Sequence, residues 1–83
     1  MTLHVIHRLT GYDRDTELLA VEYDIPSNAF PRVKKIAKVT PDDPEAIGSY
    51  PLDRNQVREI FTVLNSQLDI DRYDYFVEVF NEN

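Results

Sequence analysis

Apolar and polar residues alternate with a period of two at both ends of the chain, the pattern of a half-buried β-strand. Over residues 3–9, Leu3, Val5 and Leu9 share one face with His7, and His4, Ile6 and Arg8 take the other. Residues 17–25 repeat the pattern, with Leu19, Val21, Tyr23 and Ile25 opposite Leu18, Ala20, Glu22 and Asp24. The polar stretch at 10–16 separates the two runs, so they predict a β-hairpin. Over residues 73–80, Tyr73, Tyr75, Val77 and Val79 face away from Asp74, Phe76, Glu78 and Phe80, and the aromatic and β-branched content favours a strand again.

The middle of the chain changes period. After Pro26, Ser27 or Asn28 is positioned to cap a helix, and Pro31 falls in a first turn that needs no backbone donor there. Phe30, Val33, Ile36 and Ala37 then recur at helical spacing to about Val39. Residues 40–51 hold three of the five prolines and predict a loop, with Ile47, Tyr50 and Leu52 able to pin it to the core. Asp53 and Gln56 form a capping-box pattern ahead of Val57, Ile60, Phe61, Leu64 and Leu68, predicting a second helix over 54–67.

These elements predict one α+β domain over residues 1–83, in the order β-β-α-α-β. The hairpin and last strand form a three-stranded antiparallel sheet of order 2-1-3, with both helices packed on one face in a right-handed split crossover. The last strand is then an edge. Its free backbone groups would pair with a partner strand, or with a second copy to give a dimer, while Asp74 and Glu78 discourage indiscriminate pairing.

Composition narrows the function classes. The chain has no cysteine, which excludes thiolate chemistry and suits a cytoplasmic setting better than a secreted one. Its first residues lack a signal-peptide core, and no apolar run approaches the ~20 residues of a membrane span. The net charge of −6 is uneven: residues 39–83 carry ten acids against three arginines. An acidic domain is repelled by nucleic acid and anionic membrane and attracted to basic proteins.

Few constellations carry chemistry. His4 and His7 are three apart on a strand and point to opposite faces, so they cannot chelate one ion. Asp69, Asp71 and Asp74 resemble a calcium loop but lack its glycine and its later bidentate glutamate, so no metal or other cofactor is expected. No serine sits in a nucleophile elbow, and no glycine-rich loop cradles phosphate, which argues against an enzyme. Arg32, Lys34, Lys35 and Lys38 make one basic helix face, the alternative site for a nucleic-acid accessory role. The leading candidate is the acidic and aromatic C-terminal stretch. There Asp69, Asp71, Asp74 and Glu78 would steer a basic protein toward the rings of Tyr73, Tyr75 and Phe76.

The segments Tyr12-Asp13-Arg14-Asp15-Thr16-Glu17, Asp42-Asp43-Pro44-Glu45, Gly48-Ser49-Tyr50-Pro51-Leu52 and Asp69-Ile70-Asp71-Arg72-Tyr73-Asp74-Tyr75-Phe76 resemble a family of small bacterial domains of unassigned function. At the two ends, Tyr12-Asp13-Arg14-Asp15-Thr16-Glu17 with Glu22-Tyr23, and Gln67-Leu68-Asp69-Ile70 with Tyr75-Phe76-Val77, are also similar to the immunity proteins of ribonuclease-type colicins, the cloacin immunity family. That family has a larger sheet and little helix, so the middle of this chain departs from it. The second resemblance implies neutralisation of a basic toxin by an acidic surface. The sequence reading is accordingly a non-enzymatic protein-binding domain.

Overall fold

The computed structural model describes residues 4–43, 46, 48–66 and 69–82, and backbone only for His4, Asn81 and Glu82. Strand β1 (His4–Asp13) is central in the sheet. It pairs antiparallel with β2 (Leu19–Asp24) on one side and β4 (Tyr73–Glu82) on the other. The β1–β4 ladder runs unbroken through ten residue pairs, from His4 opposite Glu82 to Asp13 opposite Tyr73. The hairpin closes through Asp13, whose backbone O accepts the Glu17 N–H at 2.8 Å and whose Oδ1 accepts the N–H groups of Asp15 and Thr16. Glu17 takes a positive φ of 62° to complete the turn.

The expected three-stranded sheet of order 2-1-3 gains a fourth strand. Tyr50–Pro51, predicted as loop, forms β3 against the middle of β4, so the order is β2-β1-β4-β3. Two residues are too few to show a period, and Pro51 is tolerated because an edge strand need not donate on its outer side. Consequently the last strand is not the edge expected of it. Tyr50 and Pro51 cover Val77 and Phe76, and the Leu52 N–H extends the cover to the Tyr75 O at 3.0 Å.

Helix α1 (Phe30–Ala37) carries Pro31 in its first turn, as predicted, but neither Ser27 nor Asn28 caps it. The chain instead turns at Pro26, whose carbonyl accepts the N–H groups of Ala29 and Phe30, and the N-cap falls on Ala29. Helix α2 (Arg54–Leu64) begins with the predicted capping box. The Asp53 carboxylate accepts the Gln56 N–H, and the Gln56 side chain accepts the Asp53 N–H, both at 2.8 Å. The amide of Gln56 also donates to the Ile36 carbonyl, joining the start of α2 to the end of α1. Asn65, in the left-handed conformation that asparagine tolerates, ends α2 earlier than residue 67. The expected contributions of Leu3, Ile47 and Leu68, and the side chain of His4, lie outside the described residues.

Both helices cover one face of the sheet. Val33 and Ala37 of α1 and Val57, Ile60 and Phe61 of α2 bury against Leu9, Ile25, Tyr75 and Val77. Gly11 lies on this same face where a side chain would collide: an added Cβ would stand 2.6 Å from Val21 Cγ2 and 2.9 Å from Tyr75 Cε1.

Candidate functional site

The face of the sheet turned away from the helices bears Arg8, Thr10 and Tyr12 from β1, Glu22 and Asp24 from β2, and Asp74, Phe76, Glu78 and Phe80 from β4. Pleat alternation puts them there, because Leu9, Tyr75 and Val77 point the opposite way into the core. No helix among the described residues covers this layer. Its rings and charges are ordered by each other. Tyr12 and Phe76 meet edge to face at 5.5 Å, and the Arg8 guanidinium sits 5.2 Å from the centre of the Phe80 ring.

Glu78 is the hub of the layer. Its Oε1 accepts the hydroxyl of Thr10 and the hydroxyl of Tyr12, both at 2.6 Å. The carboxylate holds the Tyr12 hydroxyl in its neutral form, so the Tyr12 pKa lies above its usual value, with desolvation adding to the effect. Arg8 bridges to Asp24 at 2.8 Å and to Glu22 at 3.4 Å, and Arg14 to Asp74 at 3.0 Å. Beside this hub is a cleft of 330 Å³, with Tyr12 and Phe76 as apolar walls and Asp13, Glu17, Asp74 and Glu78 as a carboxylate rim. That volume lies at the small end for ligand pockets.

The residues singled out in the C-terminal stretch fall in three places. Asp74, Phe76 and Glu78 lie on the uncovered face. Asp69 and Asp71 shape the turn before β4: Asp69 Oδ1 accepts the Asp71 N–H at 3.1 Å, and Asp71 pairs with Arg54 at 3.1 Å. Tyr73 and Tyr75 belong to the helix side. Tyr75 is buried, edge-on to Phe61 at 5.5 Å, and donates its hydroxyl to the Asp69 carbonyl, so it cannot anchor a partner at the surface. Tyr73 is half-buried against the core and edge-on to Tyr75. The three carboxylates of the calcium-like spacing do not converge, since Asp71 and Asp74 turn to different arginines. No group of three His, Asp or Glu among the described residues is placed to hold a metal.

The basic helix face lies on α1, on the other side of the sheet. Arg32, Lys35 and Lys38 are exposed, while Lys34 is half-buried with its Nζ 5.3 Å from the centre of the Phe30 ring. Sequence reasoning named Phe76 for this surface but missed Thr10, Tyr12 and Phe80 as parts of it. The alternation of β4 separated Phe76 and Phe80 from Tyr75, but only the β1–β4 register shows that Tyr12 and Thr10 meet them.

The family model for the domain of unknown function DUF7683 matches residues 6–78. The chain belongs to the DUF7683 family. The DUF7683 match takes in Tyr12, Phe76 and Glu78, so the hub of the uncovered face lies within it. No curated protein and no solved structure matches the chain. No helix among its described residues is long and apolar enough to cross a membrane.

Proposed function

We propose that this DUF7683 domain is a non-enzymatic protein-binding module that docks a basic protein on the uncovered face of its sheet, in its sharpest form an immunity-type protein that neutralises a basic toxin in the cytoplasm. The observation that carries the reading is the layer itself. Rings at Tyr12, Phe76 and Phe80 lie among carboxylates at Asp74, Glu78, Glu22 and Asp24, on a face that no described helix covers. Such rings exclude water at a contact, and the surrounding charge accelerates encounter with a cationic surface. The carboxylates already answer to neighbouring hydroxyls and arginines, which suits a preformed recognition surface rather than proton transfer. The absence of cysteine fits a reducing compartment.

The test is calorimetric titration of the domain into purified basic ribonuclease toxins at low and at physiological salt. Binding should weaken as salt rises, and Asp74→Lys and Phe76→Ala should each weaken it about tenfold or more. Binding indifferent to salt and to both substitutions would rule this face out.

A further inference from the structure

The sheet has a second exposed feature, the outer edge of β2. Ile25 donates its backbone N–H to the His7 carbonyl at 2.8 Å, and Tyr23 and Val21 stand opposite Leu9 and Gly11. These odd-numbered residues therefore turn their backbone groups toward β1. Glu22 and Asp24, between them, aim N–H and C=O outward, where no further strand lies among the described residues. Of the four large apolar residues exposed among the described ones, three, Leu18, Leu19 and Tyr23, lie on or beside this edge. Exposed apolar side chains next to open backbone groups are what an added strand would cover.

A second copy of the chain does not fit there. In any two-fold pairing of this edge, outward residues must face outward residues. Over residues 21–24 that leaves Glu22 against Glu22, Glu22 against Asp24, or Asp24 against Asp24, and each opposes like charges directly. A longer register that avoids the acids is closed by the irregularity at Ala20, which the ladder skips between Gly11 opposite Val21 and Tyr12 opposite Leu19. Beyond it the Leu18 carbonyl turns inward to accept the Asp13 N–H at 2.9 Å, so the outward set changes. The same two acids that keep copies apart would attract a strand with cations opposite them. Arg8 holds both from the β1 side, yet their side chains remain 44% and 72% exposed.

We propose that β2 receives an added β-strand from a basic partner, a strand that alternates Lys or Arg with apolar residues. The cations stand opposite Glu22 and Asp24, and the apolar residue between them packs on Tyr23. This rests on the reading above that the partner is basic, and adds how its chain engages. Backbone hydrogen bonds supply the affinity, and the two acids select the charge pattern.

The experiment uses the intact 15N-labelled domain and the peptide acetyl-Val-Lys-Val-Lys-Val-Lys-Val-amide, with Glu in place of Lys as the control. The lysine peptide should slow hydrogen exchange at the Glu22 and Asp24 amides by roughly tenfold or more, while the control leaves them unchanged. Glu22→Gln and Asp24→Asn together should weaken peptide binding several-fold, in a domain whose unaltered spectrum shows it folded. Slowed exchange only at Asp74, Phe76 and their neighbours would overturn the strand addition and leave the uncovered-face reading standing. No binding of the lysine peptide, or equal binding of the glutamate peptide, also overturns it. The uncovered-face reading fails separately, through Asp74→Lys and Phe76→Ala measured against the whole basic protein.

Discussion

Tyr75 is the residue where burial and charge act together. Its hydroxyl is desolvated in the core, and the nearby Asp69 carboxylate adds to the effect, so its pKa is pushed up to about 12 from the usual 10.0. A raised phenol pKa means that the folded chain holds the proton more tightly than the unfolded one. The stabilisation is complete below pH 10 and is lost as pH rises through about 12. Denaturant unfolding should therefore show stability falling over that window, and Tyr75→Phe should flatten the fall. An unchanged slope in the variant would mean another group titrates there. Gly11 is a second residue with a sharp expectation. A methyl group at this position meets both Val21 and the ring of Tyr75, so Gly11→Ala should destabilise by about 1–3 kcal/mol in urea unfolding, although alanine is ordinarily the better strand residue of the two. Neither role was legible in the sequence. Gly11 reads there as turn punctuation, and its close contacts exist only once β2 and β4 flank β1.

At the scale of elements, what was legible follows from how local each signal is. Helix α2 announced itself because Asp53 and Gln56 sit three residues apart and bond reciprocally, a contact that needs no tertiary structure. Asp53→Ala should accordingly lower stability by about 1 kcal/mol, read as a drop in thermal midpoint, and Asp53→Ser should recover most of it. The start of α1 misled because Ser27 and Asn28 are good caps by type, whereas the Pro26 carbonyl had already drawn the chain into a turn around them. Strand β3 was invisible because its two residues pair only through β4. The alternation of β4 was plain, but both of its faces carry aromatic rings. Asp74 and Glu78 marked the Phe76 and Phe80 face as the wetter one, yet the rings of Tyr73 and Tyr75 read as available anchors until the helices were seen to cover Tyr75 and Val77. That choice of face decided which aromatic rings remain at the surface: it moved Tyr73 and Tyr75 out of the candidate site, kept Phe76 and brought Phe80 in.

The whole molecule carries its charge unevenly, with ten of its fifteen acids after residue 38. Four ion pairs are formed among the described residues, and all are at least partly exposed, so each contributes little to stability. The net charge of −6 leaves an excess of acids that repel one another. Added sodium chloride up to about 0.5 M should therefore raise the thermal midpoint of the isolated domain, because screening relieves that repulsion. A midpoint that falls with salt would instead show that the arginine pairs dominate. The α+β class and the antiparallel sheet were readable from the change of period along the chain. The fourth strand and the uncovered layer were not, since both depend on contacts between residues far apart in sequence.

The longest ladder in the sheet joins His4 through Asp13 to Tyr73 through Glu82. During synthesis the first of these segments leaves the ribosome long before the second, and for that interval β1 has β2 as its one neighbouring strand in the sheet. A hairpin of two strands is at best marginally stable alone. Folding of the sheet must therefore wait for β4 to emerge, and a nascent chain stalled before residue 73 should remain open to proteases and chaperones.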